Sequence, residues 1–152
     1  MKKRCKRKVW QLIDPISHAI AGAGITTDEQ LDQLKSMEIK AIEDMRTGKA
    51  DLNTWQKLVD MNNICQTMAR NGLGHEAMPD CIMAEIELKQ AAKRFEKTGS
   101  MLLTGTGLRA INEVLEWHHL QRTSISRSEY ERWIQKTRNK LRSRSKDVTV
   151  IE

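Results

Sequence analysis

Apolar residues recur along most of this chain at intervals of three and four, the spacing that lines up one side of an α-helix. β-branched and aromatic residues are sparse, while Met, Leu, Ala and Ile are common. The pattern predicts an all-α protein, a compact single-domain bundle of about six helices with basic, partly disordered termini.

The boundaries follow from capping chemistry. Asp14-Pro15 suits the first turn of a short first helix ending at Gly22 or Gly24, because proline's missing N–H has no partner there anyway. Trp10, Leu12 and Ile13 before it form an expected clasp against the core. Thr27 with Gln30 has the capping-box spacing and opens a second helix, lined by Leu31, Leu34, Ala41, Ile42 and Met45 and ended by Gly48. Asp51 caps a third, whose broad apolar side from Leu52 to Ala69 marks a central helix. Asn62 and Asn63 interrupt that side. Met61, Ile64 and Met68 form a secondary stripe, either extra core or a dimer seam. Asn71-Gly72-Leu73-Gly74 is its stop.

Met78-Pro79-Asp80 opens the fourth helix, with Ile82, Met83, Ile86, Ala91, Ala92 and Phe95 as its lining and Cys81, Ala84 and Leu88 as flanks. An apolar connector, Met101 to Leu103, leads to a fifth helix from Thr104, where Leu108, Ile111, Leu115 and one of His118 and His119 share a face. Ser126 with Glu129 is a capping box for the sixth, and Ile125 with Tyr130 has the hydrophobic-staple spacing. Trp133, Ile134 and Leu141 continue its stripe. The expected organisation is a basic N-terminal arm over 1–9, a helical domain over 10–142 and a tail over 143–152.

Charge changes this picture more than composition does. The 152 residues carry a net charge of +6, unevenly spread. Residues 9–135 hold 14 basic and 18 acidic side chains. Lys2, Lys3, Arg4, Lys6, Arg7 and Lys8 form one basic cluster; Lys136, Arg138, Lys140, Arg142, Arg144 and Lys146 form another. Such clusters attract phosphate backbones or acidic partners through a salt-sensitive field. The second has a period of two, which on a helix spreads charge around the cylinder and on an extended arm aligns it. Arg122, Arg127 and Arg132 are placed to extend the basic surface. No helix-turn-helix, zinc-finger or RNA-recognition signature accompanies the clusters, so the expected contact is with DNA or RNA backbone, with little base reading.

Catalytic chemistry is thinly represented. Glu116 and His119 have an E-x-x-H spacing, but the second such motif of a di-iron bundle is missing. Thr104-Gly105-Thr106-Gly107 offers backbone N–H groups to an anion, yet matches neither a phosphate-loop nor a dinucleotide pattern. It reads as a turn and helix cap. Cys5, Cys65 and Cys81 are an odd, irregularly spaced set, expected as free thiols in a reducing compartment. No enzyme activity, metal or cofactor is expected. No apolar run reaches the roughly 18 residues of a membrane span, and the N-terminus lacks the apolar core of a signal peptide.

Asn71-Gly72-Leu73-Gly74, the run L-T-G-T-G-L-R-A-I-N-E-V-L-E-W-H-H-L-Q over 103–121 and S-R-S-E-Y-E-R-W over 126–133 resemble a functionally uncharacterised group of small helical proteins encoded by proteobacterial phages and prophages. The resemblance covers the C-terminal half well and the rest loosely. It implies a mobile-element origin and the cytoplasm of a bacterial host, and it hands over no catalytic residues. The expected function is non-enzymatic macromolecular binding, inhibiting or redirecting a host defence or regulatory complex, with Arg109, Glu116 and His118 on the partner surface. The alternative is weakly specific nucleic-acid binding through the basic arms. Oligomeric state is left open.

Overall fold

The structure, a computed structural model, describes residues 28–143. The N-terminal basic cluster, the first expected helix, the Thr27 cap, Cys5, Arg144 and Lys146 lie outside the described residues. Five α-helices follow one another: α1 (Asp28–Thr47), α2 (Leu52–Arg70), α3 (Met78–Thr98), α4 (Gly105–Thr123) and α5 (Arg127–Arg142), with a 3-10 turn, His75–Ala77, before α3. Each matches an expected helix from the second to the sixth. Among the described residues there is no strand, and no helix is long and apolar enough to cross a membrane.

The caps work as their chemistry requires. The Asp51 carboxylate accepts from the Thr54 N–H at 2.8 Å, and this bond holds its pKa below the ordinary range. Ser126 Oγ accepts from the Glu129 N–H at 3.1 Å. Gly99 ends α3 in the left-handed conformation, at φ 73°, which an L side chain resists.

Helices α1 to α4 close into a ring of neighbours, and α2 also packs diagonally against α4. The core they share includes Met45, Leu58, Leu88, Met101 and Ile111, all fully buried; each contributes roughly 2 kcal/mol of hydrophobic stabilisation. Met61 and Met68 are buried and Ile64 half-buried, so the secondary stripe of α2 is core. The turns after α1 and α3 meet. Ala50 and Met101 form an isolated antiparallel bridge, and the Leu103 N–H donates to the Met45 carbonyl at 3.1 Å.

The first half of α3 is rolled differently from its expected orientation, whereas Ala91, Ala92 and Phe95 line the core as expected. Ile82, Met83 and Ile86 are 41–46% exposed, while Cys81, Ala84, Leu88 and Ala91 are buried. Both sets have helical spacing, so periodicity alone does not choose between them. The small residues Cys81, Ala84 and Ala91 allow closer backbone approach to α2 and α4, and that close packing decides the face. Trp55 of α2 fixes the contact by donating its indole N–H to the Leu88 carbonyl at 2.9 Å. On the α4 side the approach is so close that a Cβ at Gly107 would lie 2.9 Å from Leu103 Cδ2 and 3.0 Å from Glu87 Cβ.

Candidate nucleic-acid interface

Helix α5 lies at the edge of the bundle, packed chiefly against α2. Thr137 is its only fully buried residue. Tyr130, Trp133, Ile134 and Leu141, all half-buried, share the inward side, and Ile125 anchors the preceding turn. This docking fixes which side chains of α5 face outward. From Arg132 to Arg142 the helix carries five basic residues and no acid. Arg132, Lys136, Arg138 and Arg142 are exposed and Lys140 half-buried. At about 100° per residue, Lys136 falls on one flank and Arg138 and Arg142 on the other, while the half-buried Lys140 lies beside Trp133 on the docked side. The exposed charges therefore lie on both sides of the outward face, with Lys140 alone turned towards the bundle.

Local partners hold several of these cations. Arg127 pairs with Glu131 at 3.5 Å. Lys136 lies 5.0 Å from the centroid of the Trp133 ring and donates to Asn71 Oδ1 at 3.1 Å, so its ammonium is held in place. Arg132, Arg138 and Arg142 form no ion pair among the described residues. Cations in the last turn also favour the negative end of the helix dipole, so the arrangement costs the helix little.

Behind α5 a buried polar chain holds its first turn. Gln121 Nε2 donates to the carbonyls of Cys65 at 3.2 Å and Leu73 at 2.9 Å. Its Oε1 therefore faces His118 Nδ1 at 3.0 Å, and that nitrogen must be the donor. His118 Nε2, left as the acceptor, accepts a hydrogen bond from the Tyr130 hydroxyl at 2.9 Å. The histidine is thus neutral. Burial, followed by the nearby Arg122 charge, lowers its pKa to about 3. Burial likewise raises the pKa of Tyr130. Arg122 is 2% exposed and forms a double hydrogen bond with Glu38, Nη1 to Oε2 at 2.9 Å and Nη2 to Oε1 at 2.6 Å. Burial opposes its charge, but the Glu38 carboxylate outweighs burial and leaves its pKa raised.

These positions correct three expectations. His118 is wholly buried and belongs to no partner surface. Arg122 is spent on Glu38 and adds nothing to the basic surface. Arg127 is offset by Glu131. Arg109 and Glu116 are exposed as expected, with Glu116 bound to Lys35 at 3.2 Å. His119 is half-buried, and no three potential metal-binding side chains gather among the described residues.

The glycine-rich start of α4 is closed on the Gly107 side by the chain itself. Thr104 Oγ1 donates to Glu87 Oε2 at 3.2 Å, and that oxygen lies beside Gly107. A carboxylate there complements the positive end of α4, taking the place an external anion would need. Cys65 and Cys81 are buried free thiols; contact with Cys81, then burial, pushes the Cys65 thiol above its ordinary range.

Sequence reasoning missed the Glu38–Arg122 pair and the role of Gln121, since neither has a local motif. Compared with known proteins, the chain matches no family, no curated sequence and no solved structure.

Proposed function

We propose that this protein is a non-enzymatic nucleic-acid-binding protein, an accessory of a mobile element in keeping with the resemblance of its C-terminal half. The observation that carries the reading is the acid-free cationic series from Arg132 to Arg142 on a peripheral, firmly capped helix. In sequence it continues into Arg144 and Lys146, and the cluster Lys2–Lys8 adds six further cations. Neutralising phosphates releases condensed counterions, so affinity must fall steeply with salt. The test is fluorescence anisotropy of full-length protein with labelled duplex DNA, single-stranded DNA and RNA over a salt series. Expected is binding at low salt that weakens steeply as salt rises. It should be lost in a variant combining Arg132→Glu, Lys136→Glu, Arg138→Glu and Arg142→Glu, with an unchanged circular dichroism spectrum. No binding of any nucleic acid at low salt refutes the reading.

A second reading rests on Ile82, Met83 and Ile86, three large apolar side chains exposed together on α3. Such a patch suits a protein partner, here a host protein or complex that the accessory protein inhibits or redirects. Pull-down from a bacterial host with wild-type and Ile82→Ser/Ile86→Ser bait tests it. A partner retained equally by both baits does not use this patch.

A further inference from the structure

We infer that α5 reads base edges in the major groove of duplex DNA, with Arg132, Gln135 and Asn139 as the reading row. The inference rests on the nucleic-acid reading above and departs from the backbone-only contact expected from sequence.

Three observations carry it. The first is the arrangement of the outward side. Arg132, Gln135 and Asn139 are all exposed and follow one another at i, i+3 and i+7. They fall within an arc of about 60° on the helix, opposite the one buried residue, Thr137. The exposed cations lie to either side, Lys136 on one flank, Arg138 and Arg142 on the other. A helix with side chains is about 10–12 Å across and the B-form major groove is about 12 Å wide. Seated there, flanking cations meet the phosphates of both strands while the central row meets the bases. A helix meant only to track one backbone has no use for cations on both flanks.

The second observation is the chemistry of that row. Arginine donates twice to guanine O6 and N7, and a side-chain amide pairs with adenine N6 and N7. Gln135 Nε2 donates to Asn139 Oδ1 at 3.0 Å. That bond uses one of the two Nε2 hydrogens, so Gln135 keeps its Oε1 acceptor and a second N–H donor on one amide, the two complements that adenine N6 and N7 require. The mutual bond also restrains two side chains that would otherwise lose freedom on binding.

The third is position. Because α5 packs chiefly on α2, its ridge stands at the edge of the bundle. Steric access then selects the polymer: the major groove of A-form RNA is deep and narrow and does not admit such a ridge.

The experiment is selection from a random duplex DNA pool with full-length protein at moderate salt, followed by anisotropy on the enriched and a scrambled duplex. Expected is an enriched site containing adenine and guanine. The Gln135→Ala/Asn139→Ala variant should bind that site roughly tenfold or more weakly and the scrambled duplex nearly as wild type. Replacing enriched purines with their 7-deaza analogues should mimic this loss. By contrast, Arg138→Ala/Arg142→Ala should weaken both duplexes alike and lower the salt slope by about one for each phosphate that is no longer neutralised. All four substituted side chains are exposed, and circular dichroism confirms folding. Salt-sensitive binding with no enriched sequence overturns the inference and leaves the proposed function standing. So does equal loss on both duplexes in the amide variant, or preference for RNA. Failure to bind any nucleic acid removes both.

Discussion

Lowering the pH from 7 to 5 should cost this fold about 2 kcal/mol through His118 alone. In the unfolded chain this imidazole takes a proton near its ordinary pKa of about 6.5. In the folded protein burial and Arg122 hold the pKa at about 3, and both ring nitrogens are engaged as those of a neutral ring. The sign follows from proton counting. Between those values the unfolded state binds a proton that the native state does not, so the stability contribution is whole above about pH 6.5 and lost as pH falls towards 3. Each unit below 6.5 costs about 1.4 kcal/mol. At pH 5 the penalty depends only on the unfolded value, provided the native value lies well below 5. The assay is urea unfolding at pH 7, 6 and 5 for wild type and His118→Gln. The variant should be less stable at pH 7 by about 2 kcal/mol, because Tyr130 and Gln121 lose buried partners, and it should show a shallower pH dependence. His75 and His119 are common to both proteins, so the difference in slope isolates His118. Equal slopes, or an NMR titration placing His118 above pH 5, would refute the reasoning.

Further substitutions test the packing. Arg122→Met should lower stability by about 3 kcal/mol, since it leaves the Glu38 carboxylate largely buried without its cation; adding Glu38→Gln should recover part of the loss in thermal melts. Gly107→Ala should destabilise by about 1–3 kcal/mol because its methyl meets Leu103 and Glu87. Gly105→Ala, with open space around the added carbon, should be neutral or slightly stabilising by urea titration. Ile86→Ser should change the urea midpoint little, whereas Leu88→Ala should cost about 3 kcal/mol. The reverse order would mean that α3 is rolled the other way.

Much of the architecture was legible because helix ends are written in local chemistry. Asp51, Ser126 and Gly99 each act on backbone groups within four residues, so their meaning survives without tertiary knowledge. The roll of α3 was not legible. Ile82 and Ile86 look more apolar than Cys81 and Ala84, but the tighter seam needed the smaller side chains, and that depends on Gly107 across the interface. Glu38 and Arg122 are 84 positions apart, and no local spacing signals such a pair. Within the candidate interface the series of cations was plain from sequence. The ridge of Arg132, Gln135 and Asn139 emerged only once the side of α5 that docks on α2 was known.

The bridge between Ala50 and Met101 bears on how the chain reaches this structure. Its two residues are about fifty positions apart, and it can form only when the α1–α2 and α3–α4 hairpins have come together. Helix formation within each hairpin requires no such meeting and is intrinsically faster than pairing distant segments. Trp55, whose indole N–H is held by Leu88 in the other hairpin, is a built-in reporter of that meeting. In a stopped-flow refolding experiment on a variant whose other three tryptophans, Trp10, Trp117 and Trp133, are replaced by Phe, its fluorescence follows the joining of the halves, while far-ultraviolet circular dichroism follows the helices themselves.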